Sequence, residues 1–335
     1  MAGRVFITGV AGFLGSNLAR HLQAKGHDII GCDNLVGGYE DNIPAGIEFH
    51  RADCNDFGKM LALSKNVGVV YHTAATAYEG ASVFSPHFVT QNIVTASTGV
   101  FSAGVAAKVR RIVFCSSMAR YGANAVPFLE SYEPRPEDPY GIAKVAAELM
   151  LRNLCETHGV EFVIAVPHNI IGPRQKFDDP YRNVASIMIN MMLQNRQPII
   201  YGDGEQKRCF SYISDVIYCL KEMAFRRNVM GETINIGPDE EFVTINELAN
   251  TIANMLGFNL DPIYVNARPR EVRFATCSAD KARRLLDYRT RTPLRQGLQT
   301  MIEHIKGVGP RRFRYHLDLE IVSELTPETW TKRLI

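Results

Sequence analysis

A glycine-rich turn between a short apolar run and a helical pattern constrains this chain more than any other feature. ITGVAGFLGS follows the run RVFIT (4–8) and opens a stretch, Phe13–Lys25, with helical periodicity. Gly9, Gly12 and Gly15 recur three residues apart. Glycines so placed permit a tight turn, close approach of a ligand to the backbone, and close packing of helix on strand. The same rhythm continues through the first half. RVFIT (4–8), HDIIGC (27–32), GIEFH (46–50), VGVVYHTA (67–74), RIVFCSS (111–117) and EFVIAV (161–166) are β-branched-rich runs. Several are apolar nearly throughout, as strands buried on both faces of a parallel sheet must be. Helical patterns at 13–25, 55–64, 88–107 and 140–157 lie between them. Strand, helix, strand at this spacing predicts an α/β fold with a Rossmann-like, doubly wound parallel sheet.

Beyond residue 170 the rhythm loosens. Helical patterns at 183–195, 214–227, 244–256, 279–287 and 294–306 are separated by short strands and Pro/Gly-bearing loops. Thr244 and Glu247 have the capping-box spacing of a helix start. This half predicts a smaller C-terminal α/β substrate lobe over the sheet's carboxyl edge, where open sheets bind ligands. The expected division is a dinucleotide-binding part over 1–170 (some later segments crossing back), a substrate lobe over 171–310, and an extension over 311–335. That extension carries the only tryptophan, Trp330, and is expected to pack on the body or on a partner subunit.

Composition serves mainly to exclude. A net charge of +2 is too small to indicate a nucleic-acid or membrane partner. No apolar run approaches the ~20 residues of a membrane span, and the N-terminal stretch enters a strand pattern without a secretory-type leader. The seven cysteines are scattered and none forms a CxxC. They are expected to be buried, reduced thiols of a cytoplasmic protein, with no metal site.

Chemistry concentrates at two places. The glycine turn, lying between a strand and a helix, is a variant of the dinucleotide fingerprint, in which a helix N-terminus faces a diphosphate. Asp33 ends the second run 18 residues after Gly15. It is placed to accept hydrogen bonds from the adenosine ribose and to repel a 2′-phosphate, and no Arg or Lys follows closely. NAD is therefore expected over NADP. Asp53 ends the third run and either reaches the adenine or caps the next helix. At the second place, Ser116 and Ser117 end the fifth run, and Tyr140 and Lys144 stand one helical turn apart in YGIAK. A hydroxyl, a phenol and an ammonium together suit oxidation of a secondary alcohol, whose proton must leave as hydride departs. A free tyrosine is only ~0.1% ionised at neutral pH. A nearby ammonium, together with the positive nicotinamide, favours the phenolate, and a shift of ~3 units corresponds to ~4 kcal/mol. Lys144 is thus expected to tune Tyr140, with Ser117 donating to the developing carbonyl.

These motifs occur in order with DNL, YHTAA (71–75), Asn92, HNIIGPRQ (168–175), YGDGEQKRCFSYISD (201–215), NIG (235–237) and RPREV (268–272). Together they resemble the extended short-chain dehydrogenase/reductases, specifically the NAD-dependent sugar-nucleotide epimerase/dehydratase family, from residue 4 to about 305. The resemblance implies that Phe13, Leu14, Asp33, Asn34, Leu35, Asp53, Cys54, Thr73, Ala74, Ala75, Asn92, Tyr140, Lys144 and His168 contact NAD. It also implies that Ser117, Asn169, Arg208, Arg268 and Glu271 serve a nucleotide sugar, and that the enzyme is a homodimer through the helices at 88–107 and 140–157. A guanidinium fork matches diphosphate oxygens, which suits Arg208 and Arg268, and Glu271 suits ribose hydroxyls.

Departures from the family narrow the reaction. The 4,6-dehydratases carry an Asp-Glu pair where this chain has Met118 and Ala119, and neither shuttles a proton. An acid of the decarboxylating type and a cysteine of the 3,5-epimerising type are also missing there. A 4-epimerase of a UDP-hexose, UDP-N-acetylhexosamine or UDP-hexuronate is the leading expectation, with a 4-dehydrogenase, an atypical dehydratase or 3,5-epimerase, and a non-catalytic nucleotide-binding sensor as alternatives. Three residues are unusual. His168 either packs or acts as an extra acid/base beside the nicotinamide; Arg120 either faces a carboxylate or phosphate or lies on the surface; Cys209 stands where an acid is usual.

Overall fold

A computed structural model describes residues 3–335. The first half forms β1 (Arg4–Thr8), α1 (Phe13–Ala24), β2 (Asp28–Asp33), β3 (Glu48–Arg51), α2 (Phe57–Leu63), β4 (Val69–His72), α3 (Pro86–Thr90), α4 (Ala96–Ala106), β5 (Arg111–Cys115), α5 (Pro139–His158) and β6 (Glu161–Pro167). Then follow β7 (Ile170–Ile171), α6 (Val184–Leu193), β8 (Ile199–Tyr201), β9 (Lys207–Arg208), β10 (Ser211–Tyr212), α7 (Ile213–Phe225) and β11 (Thr233–Ile236). The chain continues through β12 (Val243–Thr244), α8 (Ile245–Leu256), β13 (Ile263–Val265), β14 (Phe274–Ala275), α9 (Asp280–Leu286), α10 (Leu294–Val308) and α11 (Glu328–Thr331).

Seven strands make one sheet in the order β11-β6-β5-β4-β1-β2-β3, and every pairing within it is parallel. This is the doubly wound sheet that the apolar runs predicted. Alternation along the strands sends side chains to opposite faces. Val5 and Ile7 join one core with α1, α7 and α9, while Phe6 joins the other with α2, α4 and α5. A third core, built on α6, α8 and α10, fills the second lobe. Thr244 and Glu247 form the reciprocal cap at the start of α8. All seven cysteines are free and buried. No helix among the described residues is long and apolar enough to cross a membrane.

The helix expected over 88–107 begins at Ser85, with Pro86 at its first position, and contains a wide π turn over Gln91–Thr95. Such turns displace side chains from their ordinary helical bearing and often mark functional sites. Here the turn carries Asn92. Residues after 310 cross between the lobes. Glu320 accepts the N–H groups of His87 (2.9 Å) and Phe88 (2.7 Å) at the start of α3. The Thr329 hydroxyl bonds the Tyr201 phenol, and Trp330 packs edge-on against Phe84 and Tyr181.

Gly15 has no room for a side chain: a Cβ there would stand 2.2 Å from the Gly9 carbonyl oxygen. Gly15→Ala is expected to push α1 off β1 and lower stability by roughly 1–3 kcal/mol or more. A urea unfolding midpoint equal to that of the unsubstituted protein would contradict this.

Candidate active site

One cavity of about 450 Å³ lies against the carboxyl ends of β1, β2, β4 and β5 and beneath the second lobe. Gly9, Gly12, Phe13, Leu14, Gly15, Asp33, Asn34, Asp53, Cys54, Thr73, Ala74, Ala75 and Asn92 line one part. Ser117, Tyr140 and Lys144 stand at the middle, and Asn169, Arg208, Arg268 and Glu271 line the rest. The fold thus gathers most of the expected residues around one space.

At the glycine end, Gly9 has φ +72°, and a Cβ there would lie 2.8 Å from the Ala74 Cα. The first turn of α1 has neither an acidic side chain nor a side-chain cap. Its free N–H groups are left for an anion. Asp33 is fixed by the N–H groups of Ala11 (3.0 Å) and Leu35 (2.7 Å), which orient its carboxylate. Burial raises its pKa, and backbone hydrogen bonds from Leu35, Ala11 and Gly12 oppose that. For Asp53, burial also works upward, but hydrogen bonds from Asn34 and Asn55 outweigh it and hold the carboxyl low. This end has the shape and donor set of a dinucleotide cradle.

Leu35 and His168 do not line the cavity, contrary to expectation. Leu35 takes the turn itself, at φ 67°, and its N–H serves Asp33. His168 is 1% exposed and points toward the loop after β11, where its Nε2 bonds the Pro238 carbonyl at 3.0 Å. Gly237 leaves room for the ring, since a Cβ there would lie 2.4 Å from His168 Nε2. Burial lowers the His168 pKa and favours the neutral imidazole, which fits a packing role. Cys209 is also buried, with Sγ 3.1 Å from the Thr276 hydroxyl.

The reaction centre is a seam between the end of β5 and successive turns of α5. Lys144 donates from Nζ to the Cys115 carbonyl at 2.9 Å and lies 5.9 Å from the Tyr140 ring centroid. The Ser116 hydroxyl donates to Glu148, and the Ser117 hydroxyl acts on Tyr140. Tyr140, Lys144 and Glu148 stand four residues apart and share one face. Burial pushes the Tyr140 phenol above its ordinary value; the Ser117 hydrogen bond works downward, and Glu79 and Asp138 work upward. Lys144 is not prominent among these influences, and burial holds its own pKa at about 8. In the protein without NAD, burial is the largest influence on the phenol. Arg120 does face a carboxylate, that of the protein's own Glu148. It is neither on the surface nor in the cavity but buried against Glu148, Nε to the carboxylate oxygens at 3.0 and 3.1 Å, with its guanidinium 4.8 Å from the Tyr121 ring centroid.

At the far end, Arg268 lies over the Tyr201 ring at 4.8 Å and donates to Glu271 at 2.8 Å, while Arg208 stands 3.6 Å from the same carboxylate. Glu271 therefore holds both guanidinium groups in place. Arg208 further donates to the main-chain carbonyls of Lys207, Val272 and Arg273. Asn169 lies at φ 40° and donates to the Cys209 carbonyl at 2.9 Å.

Among the cavity residues outside the expected set are Glu79, Asp138, Arg182 and Tyr201. Arg182 donates to the Gly37 carbonyl and Lys176 to that of Val36, each at 3.3 Å. Two cations from the second lobe thus reach the loop after Asp33, although none follows it closely in sequence. Asp138 could have been found from its place, since an Asp before Pro at a helix start reads as an N-cap. Its Oδ1 accepts the Gly141 N–H at 2.8 Å.

Burial, then the neighbouring Glu79, pushes Asp138 up to about 7 from 3.8. A folded-state value above the unfolded one means stability is retained below 3.8 and lost as pH rises toward 7. Asp138→Asn keeps a capping oxygen and removes that loss. It is expected to raise the melting temperature by a few degrees at pH 8 and by much less near pH 4. An equal change at both pH values would contradict the assignment.

A doubly wound sheet with a dinucleotide cradle and a Ser–Tyr–Lys group along one cleft defines a nucleotide-cofactor enzyme of the short-chain dehydrogenase type. Residues 5–237 match the NAD dependent epimerase/dehydratase family, and the chain belongs to that family. A protein of Methanocaldococcus jannaschii named putative UDP-glucose 4-epimerase is 33% identical over 308 residues, which are 90% of this chain and 98% of the relative. The structure of UDP-glucose 4-epimerase with UDP-glucose from Thermotoga maritima superposes with a TM-score of 0.87 at 27% identity, covering 91% of this chain and 99% of that one. UDP-N-acetylglucosamine 4-epimerase from Methanobrevibacter ruminantium, in complex with UDP-N-acetylmuramic acid, gives 0.86 at 27% identity, covering 92% and 99%.

Proposed function

We propose that this chain is an NAD-dependent 4-epimerase of a nucleotide sugar, with a UDP-hexose or UDP-N-acetylhexosamine as substrate, acting through a transient 4-keto sugar. One observation carries the reading: Ser117, Tyr140 and Lys144 line the same cavity as the glycine cradle and as Arg208 with Arg268. The arginines suit a diphosphate, which sets the sugar between them and Tyr140. NAD, when bound, supplies a hydride acceptor and returns the hydride. Tyr140 takes the C4 hydroxyl proton and gives it back, Ser117 donates to the C4 oxygen, and Lys144, anchored on Cys115, holds the cofactor ribose. Nothing in this sequence of steps needs an acid at Met118 or Ala119.

Glu79 and Asp138 favour a second reading, because they place acids in the cavity that could exchange a proton beside a C4 ketone. Incubation with UDP-glucose, UDP-N-acetylglucosamine or UDP-glucuronate in D2O, without added NAD, separates the two. The expected product is the C4 epimer with no carbon-bound deuterium. Deuterium at C3 or C5 would favour the second reading, and no turnover across a broad UDP- and GDP-sugar panel would overturn both.

We assign the protein to the cytoplasm, in keeping with seven buried free thiols. A homodimer through α5 is supported by its outer face, where Ile142, Leu149 and Met150 are 55, 63 and 45% exposed.

A further inference from the structure

We propose that Glu79 decides which sugars the cavity accepts, by binding hydroxyls of an uncharged hexose and turning away a hexuronate. This rests on the nucleotide-sugar reading above and deepens it.

The position of Glu79 makes the argument. It lies in the turn after β4, lines the cavity and is exposed. Arg208, Arg268, Glu271, Asp138 and Tyr140 line the cavity with it, and the charge of Glu79 and those of these neighbours act on one another. The turn abuts the arginine directly: a Cβ on Gly80 would lie 3.0 Å from Arg268 Nη1. The Ser82 hydroxyl bonds the Glu79 carbonyl at 2.7 Å and reaches Asp138 Oδ1 at 3.4 Å, which ties the turn to the start of α5. A sugar whose diphosphate rests on the arginines and whose C4 faces Tyr140 must pass beside Glu79.

The Glu79 carboxylate itself makes no hydrogen bond or ion pair with any described residue. The nearby guanidinium groups are already held by Glu271, at 2.8 and 3.6 Å. Both carboxylate oxygens of Glu79 are therefore free to accept sugar hydroxyls. Burial raises the pKa of both Glu79 and Asp138, the latter to about 7, so negative charge between them is already held at a cost, and a substrate carboxylate would add to it in a confined cleft. Like charges brought together there are penalised far more than in water. Rejection of a wrong ligand by an unpaired like charge is an established route to specificity.

The test compares UDP-glucose with UDP-glucuronate, measuring kcat/KM for epimerisation by the NAD-loaded protein and binding to its Tyr140→Phe form by calorimetry. The expected preference for UDP-glucose is ~100-fold or more in both measurements. Glu79→Gln should narrow that ratio at least ~10-fold, mainly by admitting the hexuronate. Equal use of the two sugars by the unsubstituted protein, or an unchanged ratio in Glu79→Gln, overturns the inference and leaves the epimerase reading standing. If neither UDP-sugar binds or reacts, the functional reading falls and takes this inference with it.

Discussion

Tyr140→Phe is expected to lower kcat for epimerisation by ~10³- to 10⁴-fold while the protein keeps its fold and its cofactor. A positioned general base contributes ~10²–10⁴ to rate, and here the same oxygen serves the outward and the return proton transfer. The phenol ring is buried, 7% exposed, and the change removes only its oxygen. Packing against Val89, Ile93, Ala119 and Ala143 is retained. Assays of C4 epimer formation beside a measurement of retained NAD give the answer. Turnover within a few-fold of the unsubstituted enzyme would remove Tyr140 from the chemistry.

Glu148→Leu carries the largest expected cost in stability. The Arg120 and Glu148 side chains are 7 and 4% exposed. Breaking such a pair leaves a buried guanidinium without its counter-charge, at about 3–5 kcal/mol. Replacing both partners, Arg120→Met with Glu148→Leu, should recover most of that loss, because a buried pair exchanged for apolar side chains is often nearly neutral. Urea unfolding of the two single variants and the double variant measures the coupling. Simple additivity of the single losses would show that the two groups do not depend on each other. The double variant should still be a poorer enzyme, since the Ser116 hydroxyl loses its partner and the end of β5 is freed from α5.

The parts that were legible in the sequence are those encoded locally. Runs such as RVFIT and RIVFC are apolar on both faces, so they announce central parallel strands. Gly9 and Gly15 are read from spacing, and the structure shows why no side chain fits at either. Thr244 and Glu247 form a contact three residues apart. Elsewhere, distance along the chain hid the site. Glu79 and Arg182 reach the cavity through turns whose direction only the packed lobes determine. The position of His168 depends on Gly237, a glycine 69 residues later that leaves space for its ring. Arg120 could not be placed from the sequence because its partner, Glu148, lies on a later turn of α5 than the motif itself. The YGIAK spacing sets Lys144 one turn from Tyr140 but says nothing about how deeply the pair is buried, and burial is what moves both groups most.

The segment after residue 310 bears on how the two lobes stay together. Its Glu320 grips the start of α3, and its Thr329 grips Tyr201 at the end of β8 on the other lobe. Held on both sides, this segment adds its own bonds to the contacts that any separation of the two lobes would have to break.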